Sequence, residues 1–163
     1  MLHSRGILHG DVKPSNILLD ASSGLIEGGV ARLDKIKLCD FGNARRSRDA
    51  RYYRITGDVS LVPWSCVSGT LGYVAPEILL KKSYSTPADV WSVGVLLYEL
   101  LGGFQPFQPY ATCLNTSVCF PPPWGVEISA EAQHLVASML ELDPLKRITA
   151  LAACAHPFFT LSL

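Results

Sequence analysis

"HGDVKPSNILL", His9 to Leu19, decides how the rest of the chain is read. A histidine, an aspartate, a lysine and an asparagine are crowded together just ahead of an apolar run. A second carboxylate, Asp40, follows the next apolar run in "DFG", Asp40-Phe41-Gly42. A loop carboxylate, a nearby amide and a second carboxylate suit magnesium-assisted phosphoryl transfer. Mg²⁺ is a hard cation that takes one or two protein oxygens and completes its shell with phosphate oxygens and water. Asn16 and Asp40 offer such oxygens. Asp11 can then hold an acceptor hydroxyl and take its proton, while Lys13 offsets charge growing on the transferred group. This chemistry asks a protein mainly to position and neutralise, so spacing carries the reading. For "HGD" alone, a turn whose Asp and Asn satisfy local backbone groups is the plainer alternative. "DFG" downstream reverses that preference.

Composition bounds the remaining possibilities. With 163 residues, 48% apolar content, and 14 basic against 14 acidic residues, the chain fits one globular domain with a real core. A formal net charge of zero gives no global pull toward nucleic acid or a membrane surface, and neither is expected as a partner. Five cysteines (Cys39, Cys66, Cys113, Cys119 and Cys154) form an odd set without a C-x-x-C pair. That argues against a disulfide framework or a zinc site and fits a reducing compartment. The expected location is intracellular, in the cytoplasm, with the nucleus also open. The longest greasy stretch, "VWSVGVLLYELLGGF", is too short to span a bilayer and contains Glu99.

Short strands come early and helices late. "NILLD" (Asn16 to Asp20) and "KIKLCD" (Lys35 to Asp40) predict a strand pair, although the connection between them is long for a hairpin. Pro87 to Leu101 predicts a central buried helix about 22 Å long, opened by proline and stopped by Gly102-Gly103. Ala132, Leu135, Val136, Met139 and Leu140 fall at helical spacing, with Ser129 as N-cap and Asp143-Pro144 as terminator. A last short helix follows Thr149 and ends before Pro157. The proline-rich stretch from Phe104 to Gly125 is expected to be mostly irregular. The fold class is therefore mainly α with a short β-hairpin.

With these blocks in place, the chain from about His3 to Phe159 resembles the protein kinase family. "HGDVKPSNILL" is similar to its catalytic loop, "DFG" to the start of its activation segment and "GTLGYVAPE" (Gly69 to Glu77) to the end of that segment. "DVWSVGVLLYELLGG" resembles the helix that anchors the large, C-terminal lobe, and "DPLKRITALAACAHPFF" the closing helices. The resemblance implies ATP and Mg²⁺ as cofactors and a Ser/Thr-bearing protein as substrate. It makes Asp11 the catalytic base, gives Asn16 and Asp40 the metals, and sets Lys13 against phosphate. Lys13 together with Thr70 follows the serine/threonine rather than the tyrosine pattern. His9, Phe41 and Gly42 fall to structural support. The tail from Gly125 to Ala150 is similar to the calcium/calmodulin-dependent kinase group.

Three further positions acquire a physical role from the match. Asp89 is expected to accept hydrogen bonds from catalytic-loop N–H groups, the alternative being a first-turn acid favoured by the helix dipole. Glu77 and Arg147 are expected to pair, tying the activation segment to the late helices. Trp91 and Trp124 read as core residues, and His134 and His156 as surface or packing histidines.

The chain also departs from the family pattern. Gly10 stands where arginine is usual, so a phosphate on Ser60, Ser65, Ser68 or Thr70 would not be read through that position. Glycine there is also compatible with small-molecule phosphotransferases of the kinase-like fold, against which "GTLGYVAPE" and "DPLKRITA" argue. Neither a G-x-G-x-x-G loop nor a strand lysine of the "VAIK" kind occurs in these residues. The expectation is thus one partial kinase domain over 1–163 with the N-terminal lobe missing, half a nucleotide site, and apolar surface uncovered along the 87–101 helix. A truncated, partner-binding scaffold without catalysis is the alternative. Finally, Arg45, Arg46, Arg48, Arg51 and Arg54, opposed only by Asp49, could pair with acidic or phosphorylated substrate residues or form a solvated basic loop.

Overall fold

The computed structural model describes residues 2–19, 36–46, 69–80, 85–122 and 128–160. Its elements, in chain order, are β1 (Ile7–Leu8), β2 (Ile17–Leu19), β3 (Ile36–Leu38), β4 (Arg45–Arg46), α1 (Pro76–Leu79), α2 (Pro87–Gly102), α3 (Ala130–Met139), α4 (Ala150–Cys154) and α5 (Pro157–Thr160). Short 3-10 turns at His3–Arg5, Pro14–Asn16, Phe41–Asn43 and Tyr110–Leu114 link them.

Helix α2 organises the core. It opens with Pro87, whose missing N–H would be unpaired there in any case. It closes on Gly103 at φ 78, where the Gly103 N–H reaches the Glu99 carbonyl at 2.8 Å. Along its length Trp91, Val95 and Tyr98 are almost wholly buried. The Trp91 ring stacks on Phe107 with centroids 5.5 Å apart. On another side α2 meets α3 at Gly94, where an added Cβ would come within 2.8 Å of the Met139 Cβ. A helix interior normally disfavours glycine. Here it sets how closely the two helices approach.

The expectation of uncovered apolar surface along α2 holds at two positions. Val93 and Leu100 are the large apolar residues that α2 exposes, because α3 and the Phe107–Cys113 region cover the rest. A denser exposed group lies elsewhere, on Leu18, Leu19, Ile36 and Phe41.

Strands β2 and β3 pair antiparallel with Ile17 opposite Leu38 and Leu19 opposite Ile36, as the sequence predicts. A second antiparallel pair joins β1 to β4, with Ile7 opposite Arg46 and Leu8 opposite Arg45. Two-residue strands leave no periodicity to read, so the hairpin-only expectation missed this pair.

Ser129 caps α3 by accepting from the Ala132 N–H at 3.2 Å, as expected, but the helix stops at Met139, ahead of Asp143-Pro144. Thr149 caps α4 through the Ala152 N–H at 3.1 Å. The additional helix α5 begins with Pro157 in its first turn, a start signal that the sequence reading took as a stop. Phe104 to Phe120 is irregular apart from the Tyr110–Leu114 turn. Cys39, Cys113, Cys119 and Cys154 are free thiols. Among the described residues no helix is long and apolar enough to cross a membrane. Trp124, Cys66, Ser60, Ser65, Ser68, Arg48, Arg51 and Arg54 lie outside the described residues.

Candidate active site

The catalytic-loop candidate hangs from α2 by its main chain. Asp89, in the first turn of α2, accepts from the His9 N–H at 2.8 Å and from the Gly10 N–H at 2.9 Å. At 5% exposure its carboxylate needs such partners, and it finds them in the loop as the sequence led us to expect. A third contact went unforeseen: the His3 Nε2 lies 2.9 Å from Asp89 Oδ2. His3 and Asp89 stand 86 residues apart, so no local signal announces the contact.

His9 is fully buried, and its partners fix its tautomer. The Asp11 N–H donates to Nδ1 at 3.3 Å, so the ring proton sits on Nε2 and is donated to the Cys39 carbonyl at 3.0 Å. The Phe41 ring packs edge-on against the same imidazole, with centroids 4.9 Å apart. His9 thereby joins the "HGD" and "DFG" stretches. A backbone bond from the Cys39 N–H to the Asn16 carbonyl at 2.9 Å extends the β2–β3 ladder toward Asp40.

Around Asp11 the side chains converge. Thr70 Oγ1 donates to Asp11 Oδ1 at 2.7 Å, and Lys13 Nζ lies 2.9 Å from Asp11 Oδ2 while donating to Thr70 Oγ1 at 2.6 Å. The Asn16 amide donates to the Asp11 carbonyl at 2.8 Å, and it lies 3.4 Å from Asp11 Oδ2. Burial alone would raise the Asp11 carboxyl. The hydrogen bonds from Lys13 and Thr70, the Lys13 charge and Asn16 outweigh it and hold the group below its ordinary value. Asp11 is therefore an anion over the whole neutral range.

Asp40 has a left-handed backbone, φ 59 and ψ 76, and its Oδ1 accepts from the Gly42 N–H at 3.2 Å. Aspartate tolerates this conformation better than most residues because its short side chain bonds locally. The donor set fits Mg²⁺. With its NH₂ turned toward Asp11, the Asn16 amide presents its carbonyl oxygen away from that bond, and Asp40 is an exposed carboxylate. Among the described residues no group of three or more His, Cys, Asp or Glu could hold a metal.

Gly10 is explained by its backbone. It sits at φ +81, and an added Cβ would lie 2.9 Å from the Asn43 carbonyl oxygen. Thr70 has its hydroxyl committed to Asp11 and Lys13. The buried pair expected at Glu77 and Arg147 is bidentate, at 2.6 and 2.9 Å, and Arg147 also donates to the Glu141 and Pro87 carbonyls, both at 2.9 Å. Its guanidinium lies 5.0 Å from the Trp91 ring centre. The sequence reading missed Tyr73, whose hydroxyl donates to Glu99 Oε2 at 2.5 Å and ties the activation-segment end to the last turn of α2.

The family described as "Protein kinase domain" matches residues 1–159. The chain belongs to the protein kinase family. Calcium/calmodulin-dependent protein kinase type II of Caenorhabditis elegans is 37% identical over 162 residues, covering 96% of this chain and 20% of the relative. Its subunit delta in Oryctolagus cuniculus is 37% identical over 164 residues, covering 97% of this chain and 27% of the relative. The probable serine/threonine-protein kinase fhkC of Dictyostelium discoideum is 37% identical over 168 residues, covering 98% of this chain and 25% of the relative. The chain thus spans 20% to 27% of the length of these relatives. It is a kinase-family chain similar to the calcium/calmodulin-dependent group.

Proposed function

We propose that residues 1–163 form the large-lobe part of a serine/threonine protein kinase, which moves the γ-phosphate of ATP to a Ser or Thr hydroxyl of a protein substrate. The observation that carries this reading is the Asp11–Thr70–Lys13 constellation, with Thr70 Oγ1 2.7 Å from Asp11 Oδ1 and Lys13 Nζ 2.6 Å from Thr70 Oγ1. A hydroxyl held on a carboxylate beside an ammonium is the geometry an acceptor alcohol needs. Asp11 would orient the incoming hydroxyl and receive its proton as oxygen bonds to phosphorus and the bond to ADP breaks. Lys13 would offset charge on the moving phosphoryl group. Asn16 and Asp40 would hold Mg²⁺, which neutralises the nucleotide phosphates when bound. His9, Phe41, Gly42, Asp89, Glu77 and Arg147 would serve as support.

Substrate choice has one support in the structure. Arg45 and Arg46 are exposed on β4, next to β1 and so close in the chain fold to His9. A basic strand there favours acidic or already phosphorylated residues in the substrate. The groups that cover nucleotide phosphates in the family do not occur in these 163 residues, so the chain alone is expected to transfer phosphate weakly or not at all.

The test is labelled phosphate transfer from Mg·ATP to a Ser/Thr peptide by the protein that carries this segment, with and without Asp11→Asn. Transfer should fall by at least about 100-fold in the variant, with an unchanged unfolding temperature. Equal rates for both proteins would overturn the assignment. Peptide left unmodified by either protein would favour a partner-binding scaffold, and phosphate on an amino sugar in place of peptide would favour a small-molecule phosphotransferase.

A further inference from the structure

His134, exposed on α3, and His156, buried between α4 and α5, form a pair that the phosphoryl-transfer site does not use. Their rings stack at 19° with centroids 5.1 Å apart, and His134 Nδ1 lies 2.8 Å from His156 Nε2. The Phe158 N–H donates to His156 Nδ1 at 3.2 Å, which caps the first turn of α5. A backbone N–H can only donate, so His156 Nδ1 must carry a lone pair and its proton must sit on Nε2. That proton is then donated to His134 Nδ1, which fixes His134 in the Nε2–H form as well.

An added proton has no good place in this arrangement. On His134 Nδ1 it would face the His156 Nε2–H. Were His156 to shift its own proton to Nδ1 to accept that bond, it would face the Phe158 N–H instead. Either way a donor meets a donor at hydrogen-bond distance in a partly buried spot.

The charged group that reaches the pair is Glu131, one turn before His134 on α3. Its carboxyl is held below the ordinary value by its own backbone N–H, then by Ser129 and by His156. It is half-buried, and its hydrogen bonds go to its own N–H and to Ser129, so it acts on the pair through space alone. Helices α4 and α5 bring Cys154 as their one titratable side chain, and α2, packed behind α3, brings Asp89 and Glu99, which are bonded to His3 and the loop and to Tyr73.

We propose that the His134–His156 pair is a proton-sensitive latch that holds α5 against α3 at neutral pH and releases it on mild acidification. The sign is fixed by linkage. A proton added to either imidazole must break the His134–His156 or the Phe158–His156 hydrogen bond, so acidification favours the open form.

Two measurements test this on the full chain. Imidazole nitrogen NMR at pH 7.5 should find both rings as Nε2–H tautomers; an Nδ1–H tautomer in either ring would overturn the proposal. Amide hydrogen exchange of Phe158, corrected for the intrinsic rate, should lose about tenfold protection between pH 7.5 and 5.5 for each histidine that gains a proton on opening. In His134→Gln, which keeps an acceptor but cannot titrate, the loss should shrink by about tenfold. Equal pH dependence in both proteins, or protection unchanged to pH 5.5 in the natural chain, would sink it.

Discussion

The α2 side and the β2–β3 side of the Asp11 site are built on opposite plans. Toward α2 the groups are charged or polar and nevertheless buried: His9 is 0% exposed, Glu77 3%, Arg147 4% and Asp89 5%. Toward β2–β3 the groups are apolar and nevertheless exposed: Phe41 is 48% exposed, Leu18 52%, Ile36 58% and Leu19 61%. The first plan holds the α2 side in place before any ligand arrives, because a buried ion that lost its partner would be costly. In the second, the β2–β3 side leaves apolar area uncovered. Stability and ligand binding should therefore separate by region.

The sharpest attack on that division is Arg147→Met, which strands the Glu77 carboxylate in the interior. Breaking such a pair costs about 3–5 kcal/mol, and denaturant titration should record a loss of that order. A loss below about 1 kcal/mol would mean that the buried network does not bear on stability. Asp89→Asn is the next probe. An amide has one accepting oxygen for the two loop N–H groups and turns its own NH₂ toward the others, so about 1–3 kcal/mol should go. Asp40→Asn should do the reverse. On the exposed side its stability should stay within about 0.5 kcal/mol of the parent, while calorimetric titration of Mg·ATP weakens clearly. Equal loss of stability from Asp40→Asn and Asp89→Asn would erase the distinction.

How much of this the sequence makes legible follows the same line. The α2 boundaries, the Ser129 and Thr149 caps and the β2–β3 pair are local signals, set by proline, glycine and short polar side chains within a few residues. Asp11, Lys13 and Asn16 lie close together in the sequence, so their convergence is readable for the same reason. Contacts that depend on distant chain segments are not. His3 reaches Asp89 and Tyr73 reaches Glu99 only through the tertiary fold, and β1 and β4 are too short to announce themselves. Glu77–Arg147 and Asp89 are intermediate cases, expected through family resemblance rather than from local chemistry. The α5 helix was lost to an ambiguity, since a proline can either end one helix or begin another.

Asp89 grips the loop through amide hydrogens of the main chain, not through the side chains of residues 9 and 10. Every amino acid except proline offers that same handle. The anchor itself is thus indifferent to the side chains it holds, and what restricts position 10 is its positive φ and the Asn43 carbonyl 2.9 Å from any added Cβ.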